Sequence, residues 1–325
     1  MTAQVATAQG AAVPPTPTQH YCEPIAIGVD VGGTKIEAVM VDLHGNVLAS
    51  QRTPTHRGNA AVLHDITMLC QQLIAARPGA TAQSIGIGIP GQVDSDSGVI
   101  HSAVNLGISE FAVADEAAAL LHAPVHVEND VNAAALGAMA VLGVSTRPNV
   151  ADAFINLGTG LAAGIIRSGR IDHGATGICG EIGHIAVEPH RFACPCGQRG
   201  CLETVASGSA VERLWPVKHG AAMPDLMAKA QTGDAKANEM LDMVVAGVCR
   251  AVQITALCVD PATIIIGGGL TRAGQPFFDR ITAMLRELAS GSAFLTSAAI
   301  DRRIIAAPAG RPIGAIGAAK AAFIR

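Results

Sequence analysis

The sequence predicts two α/β lobes around a cleft, and three observations carry that reading. At 325 residues the chain is long enough for two lobes. Short β-branched segments alternate with helical ones along its length, which is the grammar of a mixed α/β architecture. The same hairpin also occurs twice. Asp30-Val-Gly-Gly-Thr and Asn156-Leu-Gly-Thr-Gly stand at corresponding places in two halves.

In order, residues 25–30 alternate and read as a strand, 31–34 as a tight turn, and 35–42 as the return strand. A turn at His44-Gly45-Asn46 leads to a third strand over 47–52. Residues 59–76 have helical spacing, and 84–89 form a buried strand stopped by Pro90-Gly91. A strand over 124–127 precedes an Ala-rich helix over 132–142. The second half repeats the pattern, with strands at 152–156 and 161–167 around Gly158-Thr159-Gly160. Residues 224–256 are largely helical, 262–266 a strand, and 314–324 a last helix after Pro312. The division that follows is a disordered tail over 1–24, a small lobe over 25–128 completed by 312–325, and a larger lobe over 129–311.

Half the residues are apolar and the mean hydropathy is +0.38, ample for a core. No continuous apolar run reaches the roughly 18 residues of a membrane span. Residues 1–21 carry no Lys or Arg and are broken by Pro14, Pro15 and Pro17, so they lack the features of a signal peptide. A cytoplasmic protein with no membrane partner is expected. A net charge of −4 with no basic run argues against a nucleic-acid partner.

Glycine allows positive φ and keeps Cβ atoms away from an approaching anion. Gly32, Gly33, Thr34 and Lys35 thus form one candidate phosphate cradle, and Gly158, Thr159 and Gly160 a second. Asp30, just before the first, is placed to hold Mg²⁺ through water. The helix start of a P-loop is missing. Gly267, Gly268 and Gly269 follow an apolar strand and either let an adenine approach the backbone or serve as a flexible helix entry. Asp130 ends Glu128-Asn129-Asp130 and is expected to cap the following helix. Held at a helix N-terminus it should stay ionised, able to accept a hydrogen bond from a substrate hydroxyl and then its proton. Cys194, Cys196 and Cys201 flank Gly197 and Gly200 in a knuckle that suits tetrahedral Zn²⁺. Spacing leaves the fourth ligand open between His184 and His190. Glu181 and Glu203 flank the cluster, in a loop over 181–203.

Together these segments resemble the ROK family (repressor, open reading frame, kinase) of bacterial sugar kinases. The matching pieces are Gly28-Val-Asp-Val-Gly-Gly-Thr-Lys35, Val127-Glu-Asn-Asp-Val-Asn-Ala-Ala-Ala135, Asn156-Leu-Gly-Thr-Gly160, Gly180-Glu-Ile-Gly-His184 and Cys194-x-Cys-Gly-x-x-Gly-Cys-x-Glu203. The resemblance implies a two-lobed actin-like, ribonuclease-H-like ATPase fold with a central cleft, usually assembled as a homodimer or dimer of dimers. It implies ATP-dependent phosphorylation of the 6-hydroxyl of a hexose or N-acylated aminosugar, glucose leading, with N-acetylmannosamine or N-acetylglucosamine as the alternative. Asp130 would be the base, and Asn105, Asn129, Glu181, His184 and Glu203 would hold sugar hydroxyls. Both Gly turns would hold ATP phosphates, and His184, Cys194, Cys196 and Cys201 would hold a structural zinc.

Two features depart from the family pattern. Gly107-Ile108-Ser109 stands where many of its glucokinases carry an aromatic residue, and Leu161-Ala162-Ala163-Gly164 where glycines are commoner. A sugar-sensing repressor would need a helix-turn-helix ahead of the core, for which about two dozen uncharged residues are expected to leave no room. A non-catalytic sugar-binding protein would have no need of Asp130, Asp30 and both turns.

Overall fold

The computed structural model describes residues 23–324. The tail expected over 1–24 lies outside them except for Glu23 and Pro24, which already belong to the first strand.

β1 (Glu23–Val31), β2 (Lys35–Asp42) and β3 (Val47–Pro54) form an antiparallel meander. After α1 (Asn59–Ala75), β4 (Ala80–Ile89) pairs parallel with β1. β5 (Gln92–Asp94), β6 (Val99–Ala103) and β7 (Ile108–Phe111) make a small antiparallel sheet. It was not foreseen, because strands of three to five residues between Gly and Asp turns show no run of alternation. After α2 (Val113–Leu121), β8 (Val125–Asn129) completes a sheet of order β3-β2-β1-β4-β8. α3 (Asp130–Leu142) leads into β9 (Ala151–Leu157), β10 (Leu161–Arg167) and β11 (Arg170–Ile171). Beyond the cysteine loop come α4 (Gly208–Leu214), α5 (Ala222–Gln231), α6 (Ala235–Val259) and β12 (Ile264–Gly267). The chain ends with α7 (Gln275–Ser290), α8 (Ala293–Ala298), β13 (Ile304–Ala306) and α9 (Ile313–Ile324). The second sheet has the order β11-β10-β9-β12-β13. The repeated hairpin thus opens two sheets of one topology, each an antiparallel meander extended by two parallel strands.

Each sheet has its own core. Ile27, Val29, Ile85 and Ile87 pack with Ile66 and Leu69 of α1, while Ile155, Leu157 and Ile266 pack with Leu241, Val245 and Val252 of α6. α6 is long and apolar enough to cross a membrane, but half of its apolar window is buried in that core.

Helices α3 and α9 carry the contact between the halves. α9 lies on β1 and β4, and α3 packs on both α9 and β10. Their approach is backbone to backbone. A Cβ at Gly137 would overlap the Ile313 carbonyl, and one at Gly317 the Ala133 carbonyl. Gly28 and Gly86 let α9 settle equally close on the sheet, against the carbonyls of Ala315 and Ala318. The Gly317→Ala variant, whose added atom meets backbone, is expected to lose about 3 kcal/mol of stability or more. Urea unfolding within about 0.5 kcal/mol of wild type would contradict this packing.

Candidate active site

The first turn is held from behind: Gly32 N donates to Lys35 O (3.0 Å), Thr55 Oγ1 to Gly32 O (2.7 Å) and Thr55 N to Thr34 O (3.1 Å). Gly33, Thr34 and Lys35 are exposed. At the second turn, Gly208 N and Ser209 N at the start of α4 donate to the carbonyls of Gly158 and Thr159. None of Gly32, Gly33, Gly158 and Gly160 has positive φ. These glycines therefore serve by lacking a Cβ: at Gly32 it would stand 3.0 Å from Lys35 O, and at Gly160 3.2 Å from Glu203 Oε2. Gly268 does need glycine's freedom, with φ +93° and no room for a Cβ against Leu157. It lines a cleft of about 350 Å³ with Arg272, Gln275, Phe278 and Ala307. Gly269 opens a 3₁₀ turn that leads to α7.

Asp130 is the first residue of α3, but the cap is its neighbour. Asn129 Oδ1 accepts from Val131 N (2.9 Å) and Asn132 N (3.3 Å), correcting the expectation that Asp130 fills that role. The proton affinity of Asp130, however, is higher than a helix N-terminus alone would give. Burial pushes the Asp130 carboxyl up to about 6, helped by the Glu181 charge and opposed by the Val131 N–H. Asp30 is pushed up to about 7 by burial and by the charges of Asp130 and Glu37. Desolvation outweighs the helix terminus because partial burial strips water from the charged form.

Glu181 stands within electrostatic reach of Asp130, and His184 and Glu203 stand against Glu181. Glu181 is itself raised, by burial and by Glu203, with His184 acting the other way. His184 Nε2 lies 4.0 Å from Glu181 Oε2, and its Nδ1 3.7 Å from Glu203 Oε1. The loop reaches this place because Gly180 and Gly183 press against the carbonyls of Ala163 and Leu161, where no Cβ fits. Asn105 is on an exposed 3₁₀ turn, Val104–Leu106, held by Arg57 Nη2 to Val104 O (3.0 Å) and Gly58 N to Leu106 O (2.8 Å). Among the described residues no hydrogen bond given joins Asn105 to the Asp130 group. Glu128 was not singled out by its sequence. It is a 1 % exposed carboxylate bonded to His173, 45 residues away, and no spacing rule marks such a pair.

His184, Cys194, Cys196 and Cys201 bring one ligand atom each within 4.8 Å of one another. Cys196 and Cys201 Sγ are 3.7 Å apart, and Cys194 Sγ is 3.8 Å from His184 Nδ1. Those are tetrahedral edges for bonds of about 2.3 Å to zinc. Positive φ at Gly197 and Gly200 turns the knuckle. His190 points elsewhere, its Nδ1 on Glu188 and its ring stacked on Phe192. The residues fit the metal.

The architecture defines an actin-like ATPase fold carrying a cluster of acidic residues, and comparison with known proteins gives the same fold class. The ROK family model matches residues 26–323. The chain belongs to the ROK family. A glucokinase of Halalkalibacterium halodurans is 34% identical over 77% of this chain and 81% of its own. An N-acetyl-D-glucosamine kinase of Pectobacterium atrosepticum is 32% identical over 79% and 86%. A ROK glucokinase of Streptomyces griseus, solved with glucose and AMPPNP, superposes with TM-score 0.75 at 28% identity, over 93% of this chain and all of that one.

Asp130→Asn keeps the α3 terminus, since Asn129 is the cap, but cannot take a proton. Its kcat is expected to fall by about 10³-fold with the sugar KM changed less than about tenfold, and a near-wild-type kcat would remove Asp130 from its role.

Proposed function

We propose that the protein is an ATP-dependent sugar kinase that phosphorylates the 6-hydroxyl of a hexose, glucose first. The observation that carries this reading is the half-buried Asp130 carboxylate, held at the head of α3 with Glu181 in electrostatic reach and His184 and Glu203 clustered on Glu181. Asp130 accepts the proton of the 6-hydroxyl as its oxygen bonds to the γ-phosphorus, and ADP leaves with the electrons of the broken P–O bond. Phosphoryl transfer depends on placing the reactants more than on a strong base, and a carboxylate tuned near 6 is mostly ionised at neutral pH. Asn105, Asn129, Glu181, His184 and Glu203 orient the sugar. The amides of residues 32–35 and 158–160 receive the phosphates, and the cleft at Gly268 and Gly269 receives the base. Asp30 would hold Mg²⁺ through water, where the cation's charge would offset the crowding of carboxylates. Zinc on His184, Cys194, Cys196 and Cys201 would be structural, with no open position. His184 binding it through Nδ1 leaves Nε2 on the sugar side.

Identity does not separate glucose from the 2-acylamino sugars, at 34% and 32% for the two kinases compared. N-acetylglucosamine and N-acetylmannosamine are therefore the second reading. ADP release measured across glucose, mannose and both aminosugars tests the proposal, with ATP and with polyphosphate as donors. Glucose with ATP is expected to give the highest kcat/KM. No turnover of any sugar would overturn the kinase reading.

The metal has its own signature. Cys196→Ser is expected to lose zinc by elemental analysis and to raise the sugar KM by about tenfold or more, since Glu181, His184 and Glu203 lose their frame. Its ATP KM should stay within twofold, and His190→Ala should keep both metal and KM. Zinc retained in His184→Ala but lost in His190→Ala would reverse the ligand assignment.

A further inference from the structure

Glu128 is a buried carboxylate that the proposed proton transfer does not use. Its two oxygens face different parts of the site. Oε1 accepts from Asn129 N (2.8 Å) and from Asn132 Nδ2 (3.1 Å), so it braces the β8–α3 turn that presents Asn129 and Asp130. Oε2 accepts from His173 Nε2 at 2.7 Å, with His126 Nε2 3.9 Å away. Burial alone would push the Glu128 carboxyl up, but the bonds and charge of His173, with Asn132 and the Asn129 N–H, hold it below the usual carboxylate range. It is thus an ionised acceptor serving donors on both sides.

His173 is the root of the loop that carries the acceptor-binding groups. Asp172 N donates to Ile165 O (2.8 Å), which pins the chain to β10 just before His173. The His173 carbonyl accepts from Cys179 N (3.4 Å), closing residues 173–179 into a loop. Ala163 N then donates to Gly180 O (2.7 Å), and Glu181 follows at once. Both ends of the loop therefore hang on β10, and at its first end His173 adds a tie to Glu128 on the base-bearing turn. Such a charge-assisted bond is short and directional, so it transmits position and not merely cohesion.

We propose that Glu128 and His173 are positioning residues that lock the acceptor-binding loop to the base-bearing turn, setting the placement of Glu181 and His184 relative to Asp130. This rests on the sugar kinase reading above. The pair joins two strands' ends that belong to different sheets, β8 and β11. Its function would be to keep the sugar's two contact surfaces in register.

Steady-state kinetics on the sugar that the wild type turns over best, with ATP, tests it through His173→Ala, His173→Gln, Glu128→Gln and the double variant Glu128→Gln/His173→Ala. His173 is partly exposed, so its variants should fold, and thermal melts check this. His173→Ala is expected to raise the sugar KM about tenfold with the ATP KM within twofold. His173→Gln, whose Nε2 can stand where the imidazole Nε2 does and donate to Glu128, should return the sugar KM to within about threefold of wild type. In the Glu128→Gln background, His173→Ala should cost less than it does in wild type, because the two changes delete one interaction. A sugar KM unchanged in His173→Ala, no rescue by Gln, or fully additive effects would each overturn the inference while the kinase reading stands. A wild type without sugar turnover would overturn both.

Discussion

The crossing of α3 and α9 with their backbones in contact is the constraint on which the rest of the molecule depends. Gly137 and Gly317 permit it, and Gly28 and Gly86 extend it to the first sheet. Side chains between two helices usually set a separation near 8–10 Å; here carbonyls and amides take their place. The consequence reaches the site through helix ends. α3 begins at Asp130, and the turn of α9 at Gly314 lies directly against the Asp30 carboxylate, where a Cβ would stand 2.5 Å from Oδ2. Two acids, one on β1 and one at the head of α3, are thereby placed by one helix pair.

That placement has an electrostatic cost. Asp30, Asp130 and Glu181 all have carboxyls raised by burial, and each feels another's charge. A fold selected for stability alone would not gather ionisable groups in this way. The crowding is expressed as proton affinity: Asp30 and Asp130 are raised to about 7 and about 6, close to the point where they gain or lose a proton near neutral pH. A base tuned to the working pH is the useful result. Glu128 shows the contrast. More deeply buried than Asp130, it has three donors on it in His173, Asn132 and the Asn129 N–H, with His126 at longer range, and it stays charged. The difference between Glu128 on β8 and Asp130 two residues on, at the head of α3, is made by their partners, not their depth.

Much of this was legible in the amino-acid order. The paired hairpins at Gly32 and Gly158 announced two related halves, and local turn chemistry located β1, β2, β9 and β10 within a residue or two. The Cys194–Cys201 knuckle was visible because its ligands are close in sequence. Long-range facts were not. Asp130's altered proton affinity comes from what covers it, and helix-capping rules, which are local, assigned it the role that Asn129 fills. Nothing local marked the glycines of α3 and α9, whose role comes from the opposing backbone. Glu128 and His173 meet across 45 residues, and the turn bearing Asn105 depends on Arg57, 47 residues from Val104. Such pairings are properties of the packed molecule.

The central claim is that burial has turned Asp130 into the proton acceptor of a sugar kinase, and the pH dependence of kcat/KM for the sugar tests it most directly. Folding has raised this carboxyl, so its proton-accepting form is lost as pH falls through the folded-state value of about 6. Activity should therefore be level near pH 7.5 and decline towards tenfold per pH unit below about 6, in a protein that remains folded by circular dichroism. An acidic limb centred near 4, the value of a solvated aspartate, would contradict the account.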